Sequence, residues 1–335
     1  MNDAYLLQDQ LLTYFQEKLP AHKNALITHF AAISDGWETE VYAFDLDAQK
    51  LILRAYPGDS ENAGRKAAHE FDSLKKLHAM GYPVPEVFYQ ETDPAWIGKP
   101  FIIMARIEGI PMGRAFEGNA EDAPITPFCQ LFVDLHTLDE VPFLPPEAAT
   151  LDLTDPYLFL CLKLDEGRLV ILDTFKRYDF APVLDWLESQ IKENPCERLA
   201  VIHGDFHPYN ILVTADGTPY VIDWGNLAVG DPRFDLAWTL VTCGAQWREP
   251  ILQEYTRLLG QPVTNIAYFE VITAVKRLFE ITLSLSGDAE ALGMRAEGAA
   301  LIKQQAAHIR YVYGVLQAQT GLAIQEVEAL IRSLE

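Results

Sequence analysis

The chain has 335 residues, 49% of them hydrophobic, and a formal net charge of −22. That charge argues against nucleic acid, whose phosphates need a basic surface, and fits either a cationic small molecule or an acidic coat that keeps the chain soluble. The apolar content can fill a sizeable core, and the length points to two lobes.

No basic start followed by an apolar run opens the chain, and no apolar stretch approaches a membrane span, so a soluble cytoplasmic protein is expected. Cys129, Cys161, Cys196 and Cys243 are widely separated and form no C-x-x-C pair. They read as reduced thiols and not as zinc ligands.

Leu6, Leu7, Leu11, Leu12 and Phe15 recur near the helical period, predicting an opening helix over residues 3–18 that ends before Pro20. Strands follow at 26–33, 40–46 and 51–56, with a loop at 34–39 that carries Ser34 and Gly36. A hairpin tip of this kind can be an ordinary turn, or its hydroxyls and backbone amides can cover phosphates. A helix is expected over 64–80, stopped by Gly81 and Pro83, then a strand from Glu86 to Gln90. The run Phe101-Ile102-Ile103-Met104-Ala105 is apolar throughout, as in a strand buried on both faces. From Pro124 the pattern turns helical: 127–138, 157–164, 180–192, 233–243, 247–259, 266–286, 294–313 and 324–334, with a proline-rich loop at 142–156. Glu254, Glu270, Glu280, Asp288 and Glu290 on these helices could line a substrate cleft but are read as solvated faces. No internal repeat appears.

The densest chemistry lies between Val201 and Asp235, in VIHGDFHPYNILV and then YVIDWGNLAVGDPRFDLAW. Short apolar runs flank two polar loops, which would hold Asp205, Asn210 and Asp223 on rigid support. His203, Asp205 and Asn210 reproduce the H-x-D-x-x-x-x-N spacing of a kinase catalytic loop, and Asp223-Trp224-Gly225 stands where a D-F-G turn would be. With Gly204 in place of the kinase arginine, and with GDPRFDLAW carrying Asp231 and Asp235, the segment resembles the aminoglycoside phosphotransferase and choline kinase family.

That resemblance implies a two-lobed α+β protein-kinase-like fold: a small antiparallel sheet with its helices in a nucleotide-binding lobe over 1–105, and a larger helical lobe over 106–335. It implies Asp205 as the base that takes the acceptor hydroxyl's proton, and Asn210 and Asp223 as oxygen ligands to Mg²⁺. It places Ser34 and Gly36 over the phosphates of ATP or GTP, and Arg54, paired with Glu70, where a protein kinase has its lysine and glutamate. Met104, Ala105 and Ile107 would meet the adenine. His203 and Asp235 read as braces, Asp231 as a turn residue, His136 as without chemistry, and His207 as either structural or facing the cleft.

The function so implied is transfer of the γ-phosphoryl group to a small-molecule hydroxyl, with the acidic balance leaning toward a cationic acceptor such as an aminoglycoside or choline-like alcohol; macrolides, homoserine and sugars stay open. A nucleotide-binding scaffold without turnover is the competing class. A protein kinase is disfavoured, because Gly230-Asp231-Pro232 follows Asp223 without an activation loop or A-P-E segment. Oligomeric state is not legible.

Overall fold

A computed structural model describes residues 3–33, 39–118, 123–286 and 306–334. The chain separates into two compact units, Met1–Ile110 with Ile211–Gly225, and Pro111–Asn210 with Asn226–Glu335.

The first unit opens with α1 (Asp3–Lys18), whose Leu11, Tyr14 and Phe15 are almost fully buried. They cover one face of an antiparallel sheet formed by β1 (Ile27–Ala32), β2 (Glu40–Leu46), β3 (Gln49–Ala55), β4 (Val87–Glu91) and β5 (Phe101–Ala105), in the order β1-β2-β3-β5-β4. The core under α1 comes from alternate strand residues: Phe44 and Leu46 on β2, Leu51 and Leu53 on β3, Phe101 and Ile103 on β5. This period of two is what a pleated strand imposes. Each such large side chain contributes about 1.5–3 kcal/mol by leaving water. The register sets Arg54 opposite Val41 on one side and Ile102 on the other. Between β3 and β4 runs α2 (Ser60–Ala79). It starts four residues before the position its apolar pattern suggests, because the Asp59 carboxylate accepts from the Asn62 amide at 3.1 Å and caps it.

After β6 (Gly109–Pro111) the chain enters the second unit through α3 (Ile125–His136), α4 (Leu158–Arg168), α5 (Ala181–Ser189) and β7 (Ala200–Ile202). The expected loop at 142–156 contains two short 3₁₀ turns, and α4 runs on into a wider π-helical turn, Leu169–Thr174. The chain then returns to the first unit as β8 (Ile211–Thr214) and β9 (Pro219–Val221), which pair with each other and extend β6 in the order β6-β8-β9. Val221 N–H donates to Pro83 O at 2.8 Å, and the Trp224 ring meets Tyr82 edge-on. Back in the second unit, β10 (Ala228–Gly230) pairs antiparallel with β7.

Five further helices follow among the described residues: α6 (Pro232–Thr242), α7 (Ala245–Leu259), α8 (Ile266–Ser286), α9 (Ala306–Thr320) and α10 (Gln325–Ser333). α8 is buried along most of its length, and both α6 and α9 pack on it. Of the helix expected over 294–313, residues 294–305 lie outside the described residues. Among the described residues no helix is long and apolar enough to cross a membrane.

Candidate active site

In the first unit three expected residues meet. β3 carries Arg54 inward, α2 brings Glu70, and the loop after β9 brings Asp223. Arg54 donates through Nη2 to Asp223 Oδ1 at 2.5 Å, and its Nε lies 3.1 Å from Glu70 Oε2, at an angle that makes this an ion pair and not a hydrogen bond. Tyr56 Oη donates to the same Glu70 oxygen at 2.6 Å. Glu70 is fully buried, whereas the Asp223 side chain is 42% exposed. Burial works to lower the Arg54 guanidinium, but the carboxylates of Glu70 and Asp223 outweigh it and hold Arg54 above its ordinary value. The same burial pushes Glu70 up, against the pull of Arg54. Asp223 has φ +69°, the left-handed region, which costs an L residue on the order of 1 kcal/mol and which aspartate tolerates better than most.

At the end of β5, Met104 is buried in the sheet, the Ala105 N–H is taken by Glu86 O at 2.8 Å, and Ile107 is half-buried just beyond the strand. Ser34 and Gly36 lie outside the described residues.

The second unit builds its site on the loop between β7 and β8. Phe206 anchors that loop by stacking on Phe132 of α3, with centroids 4.2 Å apart and planes 4° from parallel. Asp235, in the first turn of α6, accepts from His203 N–H at 2.7 Å and from Gly204 N–H at 2.9 Å, one bond to each oxygen. Gly204 has φ +80°, and a Cβ there would sit 2.8 Å from Asn226 O, so glycine is needed for both conformation and space. His203 Nδ1 then accepts from Asp205 N–H at 3.2 Å. His136, buried on α3, reaches Tyr255 Oη at 2.7 Å and lies 3.4 Å from Asp235 Oδ2, a bracing position.

The Asp205 carboxylate is thereby aimed. Trp238 Nε1, one turn beyond Asp235 on α6, donates to Asp205 Oδ1 at 2.7 Å, and His207 Nε2 stands 3.6 Å from the same oxygen. Asn210 Nδ2 donates to Asp205 O at 3.0 Å and approaches Oδ2 at 3.4 Å. Burial would raise Asp205, but His207, His203 and the Trp238 bond overcome it and hold the carboxyl below its usual range. Because the Asn210 NH₂ is committed to Asp205, its Oδ1 is the atom left to face a cation.

Asp231, expected as a turn residue, is the N-cap of α6. It accepts from Arg233 N–H at 2.9 Å and holds the Arg233 guanidinium through both oxygens. Glu270, expected as a solvated position, is buried and takes Arg248 bidentately at 2.6 and 2.8 Å. Glu254 bonds Thr126 and Arg257 on the surface, while Asp288 and Glu290 lie outside the described residues. All four thiols are free, and burial pushes Cys129, Cys196 and Cys243 up to about 12, which keeps them protonated and unreactive. Trp238 and Tyr56 are the site residues that sequence reasoning missed. Trp238 closes the motif segment FDLAW, and its helical spacing from Asp235 was the available signal.

Among the described residues no three His, Cys, Asp or Glu side chains converge as a metal centre. Mg²⁺ is a hard cation that takes one or two protein oxygens and fills its shell with phosphate and water. Asp223 offers a half-exposed carboxylate and Asn210 a carbonyl oxygen.

An open cavity of about 490 Å³ lies wholly within the second unit, bordered by His207 and Tyr209 of the same loop and by Arg277 and His308 from α8 and α9.

The profile of the phosphotransferase enzyme family (APH) matches residues 29–267. The chain is 36% identical over 101 residues to viomycin phosphotransferase of Streptomyces vinaceus, an alignment that spans 28% of this chain and 33% of that protein. It is 28% identical over 197 residues to aminoglycoside 3'-phosphotransferase of Streptomyces fradiae, covering 56% of this chain and 69% of the other. The fold is that of a thermostable mutant of aminoglycoside phosphotransferase APH(4)-Ia solved as a ternary complex with AMP-PNP and hygromycin B: TM-score 0.62 at 17% identity, over 93% of this chain and 99% of that one.

Proposed function

Because the chain belongs to the phosphotransferase enzyme family, we propose that it moves the γ-phosphoryl group of ATP to a hydroxyl of a small molecule, with Asp205 as the base. The observation that carries this reading is the Asp205 carboxylate: half-buried, held below its usual range, and fixed at one oxygen by Trp238. ATP is preferred over GTP on the strength of the neighbour crystallised with AMP-PNP.

As the acceptor oxygen bonds to the γ-phosphorus, its proton passes to the Asp205 carboxylate and the β–γ bridging bond breaks, leaving ADP and a phosphate ester. Trp238 occupies Oδ1, so the second oxygen receives the hydroxyl. Little covalent chemistry falls to the protein in such a transfer, and positioning and charge stabilisation carry the rate. Arg54 brings fixed positive charge for the phosphates, and its double pairing to Glu70 and Asp223 sets its orientation in advance. Met104, Ala105 and Ile107 receive the adenine, with the Ala105 N–H already given to Glu86 O; Ser34 and Gly36, expected over the phosphates, lie outside the described residues. Asp223 and the Asn210 carbonyl would be the groups to hold Mg²⁺, which would supply positive charge against the phosphates.

The test is Asp205→Asn, followed by ADP release and by binding of AMP-PNP. Turnover should fall about 10²- to 10⁴-fold, the usual worth of a positioned base, while AMP-PNP binding persists. Turnover equal to that of the wild type would remove the assignment.

A further inference from the structure

We propose that the cavity of the second unit takes an acceptor bearing an anionic group, a carboxylate or a phosphate, and that Arg277 holds that group. The proposal rests on the reading of Asp205 as the base, since His207 both borders the cavity and lies against Asp205.

The case begins with how the arginines of this unit are satisfied. Arg248 has both oxygens of Glu270, and Arg233 has both oxygens of Asp231 with the Pro195 carbonyl at 2.6 Å. Arg277 has no such partner among the described residues. Its Nε is buried without a hydrogen-bond acceptor, and the carboxylate recorded near it, Glu280, is 3.8 Å away and shared with Lys276 at 3.7 Å. The Arg277 side chain is 20% exposed, and it borders the cavity. A guanidinium with unfilled donors beside a cavity is matched by a planar carboxylate or a phosphate, which it can grip through two parallel bonds.

Two neighbouring groups support the same sign. His308 is pushed down to about 4 by burial and by Arg277, so it is neutral at ordinary pH and leaves Arg277 as the cation of that wall. Glu117, the acidic lining residue among those described, keeps its negative charge while accepting from the Tyr209 hydroxyl, so it weighs against an anion on its own side of the cavity. Lys276 lies 4.3 Å over the Trp238 ring, adding a second cation on the same turn of α8. At the Arg277 wall a polycationic acceptor would meet repulsion and an anionic one would not. The volume is that of a drug-sized site, far more than a lone phosphate fills, so the anion is carried on a carbon skeleton. Tyr209 offers that skeleton a ring face, laid so closely on Gly113 that a Cβ there would come within 2.5 Å of it.

The experiment compares paired acceptors on one skeleton, glycerate with glycerol and gluconate with glucose, beside the aminated acceptor hygromycin B, by kcat/KM for ADP release. The acid of each pair should be preferred by about tenfold or more, the scale of one charge-assisted bond. Arg277→Gln should erase the preference by lowering kcat/KM for the acids alone, and Arg277→Lys should keep part of it. Transfer to glucose, glycerol or hygromycin B without acid preference, or an acid-to-neutral ratio unchanged in Arg277→Gln, would overturn the assignment while leaving phosphoryl transfer intact. Transfer to no member of the panel would count against both.

Discussion

Trp238 holds one oxygen of Asp205 and so has a measurable electrostatic role. Asp205 sits below its ordinary pKa in the folded chain, so its ionised form contributes stability above the unfolded value, and that contribution is lost as pH falls through the folded value. Trp238→Phe removes a donor to the carboxylate. The acid limb of the kcat profile should then move to higher pH by up to about one unit, and an unmoved limb would refute the role. Arg54 gives a second prediction. Arg54→Met leaves Glu70 buried without its cation, which should cost about 3–5 kcal/mol, read as a lower urea midpoint. Glu70→Gln should cost less, because Tyr56 can still donate to the amide oxygen. At this scale the Arg54–Glu70 pair was legible from the order of strand and helix, and Asp205, Asn210 and Asp223 could be singled out because their pattern is local in the chain. Trp238 and Tyr56 were not: their bonds span 33 and 14 residues, and an indole or phenol looks like core until its partner is known.

Among the elements, α6 and the loop after β7 depend on each other through single positions. Asp231→Ala would remove the cap of α6 and strand the buried Arg233, so a loss of about 3–5 kcal/mol is expected from the broken pair, visible in the urea midpoint. Gly204→Ala must either leave φ +80° or push Asn226 aside. It should lower kcat while leaving nucleotide affinity near that of the wild type, and equal kcat would show that the loop relaxes freely. The strands and long helices follow from periodicity. The start of α2 shifted because one carboxylate, Asp59, capped it early. The π-helical turn after α4 had no signal, since its residues read equally well as helix or loop, and Asp231 looked like a turn residue because Asp-Pro serves both as a turn and as a helix start.

For the whole molecule, the net charge of −22 should slow the approach of ATP and of any anionic acceptor. Raising salt shortens the screening length from about 30 Å at 0.01 M to about 8 Å at 0.15 M, so kcat/KM for ATP should rise over that range and then level off. A fall would show that local cations near the phosphates dominate the field. Composition suggested a cationic acceptor, whereas Arg277 faces the cavity: a total cannot reveal where its exceptions lie. The order of helices and strands was legible, but not that residues 211–225 belong with the first hundred, since this depends on pairings such as Val221 with Pro83. That membership has a consequence for synthesis. The first unit is discontinuous, so a ribosome must have released residue 225 before Arg54 can find Asp223 or β6 can gain its neighbours. The amino-terminal unit therefore cannot finish folding when its first 110 residues emerge, as a domain encoded in one stretch could; it must wait for residue 225, while the second unit waits for residues 226–335.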